Sequence, residues 1–247
     1  MPEFEVEYAM FTHRGKVRAH NEDSIVAGKR IECGPMPDPM RVVQDSDWPL
    51  LLAVADGLGG LAAGEIASRL AVTSLSKSEF KNIDGFGLEE ALAHAHKEIL
   101  DHSIRKPYQR GMATTVAGTM IHPDRCSWFN IGDSRVYQRT QEGLTQLSED
   151  DVPVSDGLYG RSHIVTQVLG GTPLQARPQA HVGSASVSMG DRLLICSDGL
   201  TDMLSDSEIN ASFQDTCANT VKELFNRAMD AGGVDNISVI VAAVGGN

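Results

Sequence analysis

Polar and apolar positions alternate strictly over residues 3–11, with Glu3, Glu5 and Glu7 set against Phe4, Val6, Tyr8 and Met10. That is the period of a half-buried strand. A second short strand is predicted over Ser24–Ile31. Residues 33–49 hold four prolines and no periodicity, and so predict a surface loop. Leu50–Ala55 is apolar throughout and reads as a buried strand, stopping at Asp56-Gly57-Leu58-Gly59-Gly60.

Two helices are predicted next. Leu61, Ile66, Leu70 and Leu75 fall loosely on one face of the first. Leu88, Ala91, Leu92, Ala95 and Ile99 follow the i, i+3, i+4, i+7 rule in the second, opposite Glu89, Glu90, Lys97 and Glu98. Strand-like runs follow at Thr115–Ile121, Ser127–Ile131, Arg135–Arg139, Ser184–Val187 and Arg192–Cys196. Residues 148–162 are polar and turn-rich, the pattern of a mobile flap. Leu200–Leu204, Asp206–Phe213 and Thr220–Met229 predict helices, and Asn236–Val244 a last apolar strand. Strands and helices come in blocks, without the regular alternation of a doubly wound parallel sheet. The expectation is α+β, with antiparallel sheets covered by helices, in one domain over 1–247.

Composition narrows the function. The 247 residues carry 21 Lys+Arg against 33 Asp+Glu, a net charge of −12. Such a chain is a poor binder of nucleic acid, which needs cations to displace counterions from phosphates, and of anionic lipid. The longest apolar runs, Leu50–Ala55 and Val239–Val244, fall far short of the ~20 residues that span a bilayer. Residues 1–7 show no apolar stretch of a secretory signal. Cys33, Cys126, Cys196 and Cys217 lie far apart with no CxxC, as in a reduced, cytoplasmic protein without structural zinc.

The candidate chemistry lies in where the acids stand. The Leu50–Ala55 run ends at Asp56-Gly57, and Ser127–Ile131 ends at Gly132-Asp133-Ser134. Leu193–Ser197 ends at Asp198-Gly199, and Asp235-Asn236 immediately precedes Ile237–Val244. Singly, an Asp-Gly pair is a turn signal. Four acids at strand tips that met on one sheet edge would repel unless cations neutralised them. Oxygen-only ligands select Mg²⁺, Mn²⁺ or Ca²⁺ over zinc or copper. Glycines beside Asp56 leave backbone carbonyls uncovered, and no GKS/GKT ending marks a phosphate-cradling P-loop. Arg18-Ala19-His20-Asn21-Glu22-Asp23 adds an arginine, whose planar guanidinium matches phosphate oxygens two at a time.

These segments, in order with Ala113-Thr114-Thr115 and Asp235-Asn236-Ile237-Ser238, resemble the protein phosphatase 2C family, the metal-dependent Ser/Thr protein phosphatases, and in particular its short bacterial members. The resemblance runs from about residue 8 to residue 244. It implies a four-layer α-β-β-α sandwich of two antiparallel sheets flanked by helices. It implies two Mn²⁺ or Mg²⁺ ions, with a third possible, and a metal-activated water that attacks phosphorus in line without a phosphoenzyme. Asp56 would bridge two metals and the Gly57 carbonyl would complete one site. Asp198 and Asp235 would ligate the other, and Asp133 with Asp198 matches a third. Glu22, Asp23 and Asp202 match acids that hold metal-bound waters, and Arg18 matches the phosphate-binding arginine.

The chain departs from the family at Leu58, where many eukaryotic members carry a histidine taken to protonate the leaving oxygen. His20 and His163 are the nearest candidates in sequence, with Arg161 a candidate contact to the phosphopeptide. The family also implies phosphoserine and phosphothreonine proteins as substrates, a eukaryotic-like Ser/Thr kinase as counterpart, and a cytoplasmic monomer. Two rival readings are a catalytically inactive regulatory relative and a phosphoesterase or nuclease using the same dinuclear site.

Overall fold

A computed structural model of the chain describes residues 5–44, 48–58, 63–78, 85–123, 125–153, 164–172 and 177–245. In chain order the first half holds β1 (Val6–His13), β2 (Ser24–Ala27), β3 (Arg30–Cys33), β4 (Met40–Gln44), β5 (Leu50–Ala55) and β6 (Gly57–Leu58). Two long helices follow, α1 (Gly64–Lys77) and α2 (Gly85–Arg105). The second half opens with β7 (Ala113–Thr114), β8 (Val116–Ile121), β9 (Arg125–Ile131), β10 (Arg135–Thr140) and β11 (Gly143–Gln146). It continues through β12 (Leu169–Gly170), β13 (His181–Ser186) and β14 (Arg192–Cys196). After α3 (Asp198–Thr201), α4 (Asp206–Ala211) and α5 (Cys217–Asp230) the chain closes on β15 (Ile237–Val244).

One six-stranded sheet runs β11-β10-β14-β15-β1-β4, the other β13-β9-β8-β5-β2-β3, and every pairing is antiparallel. Tyr8, Met10, Ile195 and Ile240 of the first sheet meet Ile25, Leu52, Val54 and Ala117 of the second in an inter-sheet core. α1 and α2 cover the outer face of the second sheet through Leu75, Leu88, Leu92 and Ile99 against Val26, Ala53 and Phe129. α3, α4 and α5 cover the first through Leu200, Ile209, Val221 and Leu224 against Phe11, Tyr137 and Val241. The layers are therefore α-β-β-α, as expected. Strands such as β5 and β15 are covered on both faces, so they read as continuous apolar runs instead of alternating.

Three local expectations change. Residues 33–49 are not all loop: Met40–Gln44 adds β4 to the edge of the first sheet, in register with Val6–Met10. Its prolines lie outside the paired residues, where they cost no ladder hydrogen bond. The predicted strand Ser24–Ile31 is a hairpin, because Gly28 turns the chain at φ +58° between β2 and β3. In α1 the buried stripe is Ala67, Ser68, Ala71, Val72 and Leu75, while Ile66 and Leu70 are half-buried at its margin. Small side chains there let the helix lie close to the sheet. Among the described residues no helix is long and apolar enough to cross a membrane.

The register carries the acids to one end. Ser24 at the start of β2 opposes Ala55 at the end of β5. Val116 opposes Ile131 at the end of β9, and Cys196 at the end of β14 opposes Val239 near the start of β15. Asp23, Asp56, Asp133, Asp198 and Asp235 therefore all flank strands at the same end of the sandwich.

Candidate metal centre

Asp23 and Asp133 are buried, Asp56 and Asp198 are half-buried, and Asp235 opens to solvent at their margin. Ser238 Oγ and Ser197 Oγ donate to Asp23 Oδ2 at 2.6 Å and 2.9 Å. Thr12 Oγ1 pairs with Ser238 Oγ at 2.7 Å, tying β1 to the same group. Neither serine was given a role in the sequence reading, although both stood inside its motifs. Their signal was positional: each lies one or three residues from an acid at a strand tip.

Burial pushes the carboxyl groups upward, because charge is disfavoured away from water. Asp23 is raised to about 6, first by burial, against the lowering effect of the two serine hydroxyls. Asp198 is raised to about 7, first by burial and then by the Asp133 charge. Asp56 is raised well above the usual carboxylate range by burial, with Asp23 and Asp198 adding like charge. Asp56 and Asp198 stand within hydrogen-bonding reach of each other. Two carboxyl groups share such a bond only when one keeps its proton.

Divalent ions fit these residues on two observations. Asp23 Oδ1 and Asp198 Oδ1 are buried with no hydrogen-bond partner among the described residues, a costly condition unless a cation faces them. The donors are all hard oxygens, and their converging charge asks for a hard counter-charge. Among the described residues no group of three acid, histidine or cysteine side chains is gathered closely enough to hold a metal ion. The fit thus rests on donor chemistry and orphaned oxygens. Asp202 acts on Asp198 through its charge, and its backbone N–H donates to the Asp198 carbonyl at 2.7 Å.

Gly57 serves the centre by close packing. A Cβ there would stand 2.4 Å from the Gly64 backbone and 2.6 Å from the Glu22 carbonyl. The chain after Asp56 is thereby pressed between the start of α1 and the loop before β2. Glu22 is raised above its ordinary range by burial, against the lowering pull of Arg18.

The Arg18 loop is built onto the Asp235 turn. Asn236 Nδ2 donates to the carbonyls of Arg14 and His20 at 3.0 Å and 2.9 Å, and its Oδ1 accepts from Glu22 N at 2.8 Å. Gly15, at φ +74°, leaves no room for a Cβ against the Asp235 and Gly233 carbonyls. So held, Arg18 Nη2 donates to Asp235 Oδ2 at 2.5 Å. His20 is exposed on this loop. Arg161 and His163 lie outside the described residues.

A second bracket, which sequence reasoning missed, surrounds Asp133. Arg135 grips Asp150 through Nε at 2.9 Å and Nη2 at 2.7 Å. Asp151 accepts from Gly132 N at 2.8 Å and Gln167 Nε2 at 2.6 Å, and lies 2.9 Å from His181 Nε2. Of the flap expected over 148–162, only residues 148–153 are described, and these are anchored at Asp150 and Asp151. The remainder lies outside the described residues.

Residues 33–236 match the family model described as "Protein phosphatase 2C". The chain belongs to the protein phosphatase 2C family. It is 32% identical over 252 aligned positions to the serine/threonine protein phosphatase PstP of Mycobacterium tuberculosis, covering 97% of this chain and 45% of that protein. The chain thus spans about half the length of that relative. It is 28% identical to the serine/threonine phosphatase stp of Listeria monocytogenes, covering 93% of this chain and 92% of that one. The crystal structure of the PstP catalytic domain with two manganese ions superposes with a TM-score of 0.79 at 30% identity, over 98% of this chain and all of that domain.

Proposed function

We propose that this chain is an Mn²⁺- or Mg²⁺-dependent phosphatase that hydrolyses phosphoserine and phosphothreonine on proteins. The observation that carries the reading is the set of buried and half-buried acids brought to one end of the sandwich, with two carboxylate oxygens orphaned and an arginine at the rim. The names and the manganese-bound catalytic domain of its relatives support it. On this reading Asp56, Asp198, Asp235 and the Gly57 carbonyl would hold two ions, Asp133 with Asp198 would offer a third position, and Asp202 would hold metal-bound water.

Bound ions supply neutralising charge and a water activated for attack on phosphorus. The chain does the rest. Arg18, half-exposed at the rim, orients the phosphate through its non-bridging oxygens and stabilises their charge as it develops. Asp23 stays in place through Ser197 and Ser238, so its free oxygen faces the centre with little freedom to relax. Glu22, beside Arg18 on the same loop, would hold waters bound to the ions. As the phosphorus–oxygen bond to the serine or threonine breaks, that oxygen needs a proton, which Leu58 cannot give.

The intact set of acids disfavours the inactive-relative reading, and the −12 charge disfavours a nuclease. A Ser/Thr kinase as the opposing enzyme, a cytoplasmic monomer and a single catalytic unit over 1–247 belong to the same proposal. The test is phosphate release from phosphothreonine peptides, nucleotides and sugar phosphates, with and without Mn²⁺. Metal-dependent turnover that favours the peptide supports the reading. Turnover of nucleotides alone, or none of any substrate, overturns it.

A further inference from the structure

Between α2 and the segment leading into β13 lies a cavity of about 560 Å³. Leu92, Ala93, Ile131 and Pro178 wall it. Ile131 is two residues before Asp133, so one wall stands within ~7 Å of chain from the candidate centre. The polar group inside is His96, only 9% exposed. Gly170 N donates to His96 Nδ1 at 3.1 Å, which makes Nδ1 the acceptor and leaves the proton on Nε2. Nε2–H has no hydrogen-bond partner among the described residues. Burial and the Arg177 charge lower the His96 pKa, so the ring is a neutral donor near pH 7.

Arg177 stands exposed at the mouth and makes no ion pair among the described residues. Glu89 stands on the rim as well. The cavity therefore offers one neutral N–H donor, one guanidinium and an apolar wall, with the Glu89 carboxylate at its rim.

We propose that this cavity is a substrate subsite for a carboxylate side chain close to the phosphorylated residue, bound by His96 Nε2–H and the Arg177 guanidinium. This rests on the chain being a protein phosphatase. The two donors, His96 Nε2–H and the Arg177 guanidinium, match the two oxygens of a carboxylate, whereas a dianionic second phosphate would bring more charge beside Glu89.

The test is the ratio of kcat/KM for phosphothreonine peptides carrying one aspartate, moved stepwise to either side, to that for the same peptide with alanine. The full Mn²⁺-loaded chain should favour an acidic peptide about tenfold at its best position, equivalent to about 1.4 kcal/mol. Arg177→Glu, at an exposed site, should bring that ratio to one or below. His96→Phe, which keeps a ring in the wall, should lower it too. A ratio of one at every position in the wild type, or an undiminished ratio in Arg177→Glu, overturns the subsite. Turnover of p-nitrophenyl phosphate by the wild type reads the underlying activity separately. Its presence with a flat ratio sinks the subsite alone, and its absence sinks both.

Discussion

Arg18 Nη2 lies 2.5 Å from Asp235 Oδ2, so the rim guanidinium is held against an acid of the centre. The pair is half open to water, and such pairs contribute little to stability. Its value lies in orientation. Arg18→Ala should leave the melting temperature within a degree or two and raise KM for a phosphothreonine peptide about tenfold or more. Arg18→Lys should recover only part of that, since an ammonium lacks the two-pronged geometry. Steady-state kinetics on the three proteins checks this; equal KM values would remove Arg18 from substrate binding.

Asn236 is the clamp that gives Arg18 its position. Its amide bonds three backbone groups of the 14–22 loop and is almost fully buried. Asn236→Ala should cost about 2 kcal/mol, a fall of about 4–8 °C in melting temperature. It should also raise KM in the same direction as Arg18→Ala. Thermal unfolding and kinetics on one preparation test both halves.

Ser238→Ala removes the shorter of the two donors to Asp23. The carboxylate form of Asp23 then loses support inside a buried site. Apparent Mn²⁺ affinity should weaken about tenfold, and more at pH 6 than at pH 8, where protonation competes less with the ion. Calorimetric titration at the two pH values decides it.

Metal-free stability should fall as pH rises from 5 to 8. The sign follows from the raised acids. Unfolded aspartates ionise near pH 4, whereas folded Asp23 and Asp198 do so near 6 and 7, and Asp56 is also raised well above its ordinary range. Between these values the folded state holds more protons, so its advantage is complete below pH 4 and is lost as pH climbs through 6 and 7. Mn²⁺ should reverse the loss, with a larger gain in melting temperature at pH 8 than at pH 5. A gain that shrinks with pH would contradict the burial argument.

Much of this centre was legible in the chain. Apolar runs that break at Asp56, Asp133, Asp198 and Asp235 mark strand ends, and antiparallel pairing brings those ends together. Blocks of strands and helices pointed to antiparallel sheets covered by helices, and the family resemblance implied the four layers. What stayed hidden depends on contacts between distant residues. Ser197 and Ser238 look like ordinary strand polars until Asp23 is seen between them. Asp150 and Asp151 read as turn formers, yet pair with Arg135, Gly132 and Gln167 across folded chain. Met40–Gln44 was masked by its prolines, because a five-residue edge strand carries too little periodicity to outweigh them. The small-residue face of α1 was missed because its larger side chains sit at the margin.

The most direct test is the Mn²⁺ dependence of phosphate release from a phosphothreonine peptide by the wild type and Asp56→Asn. Asparagine keeps the volume and removes the charge. The account expects saturable Mn²⁺-dependent turnover in the wild type and a loss of at least about a thousandfold in Asp56→Asn, with the fold intact by circular dichroism. Equal turnover by the two proteins, or turnover indifferent to Mn²⁺, would contradict it.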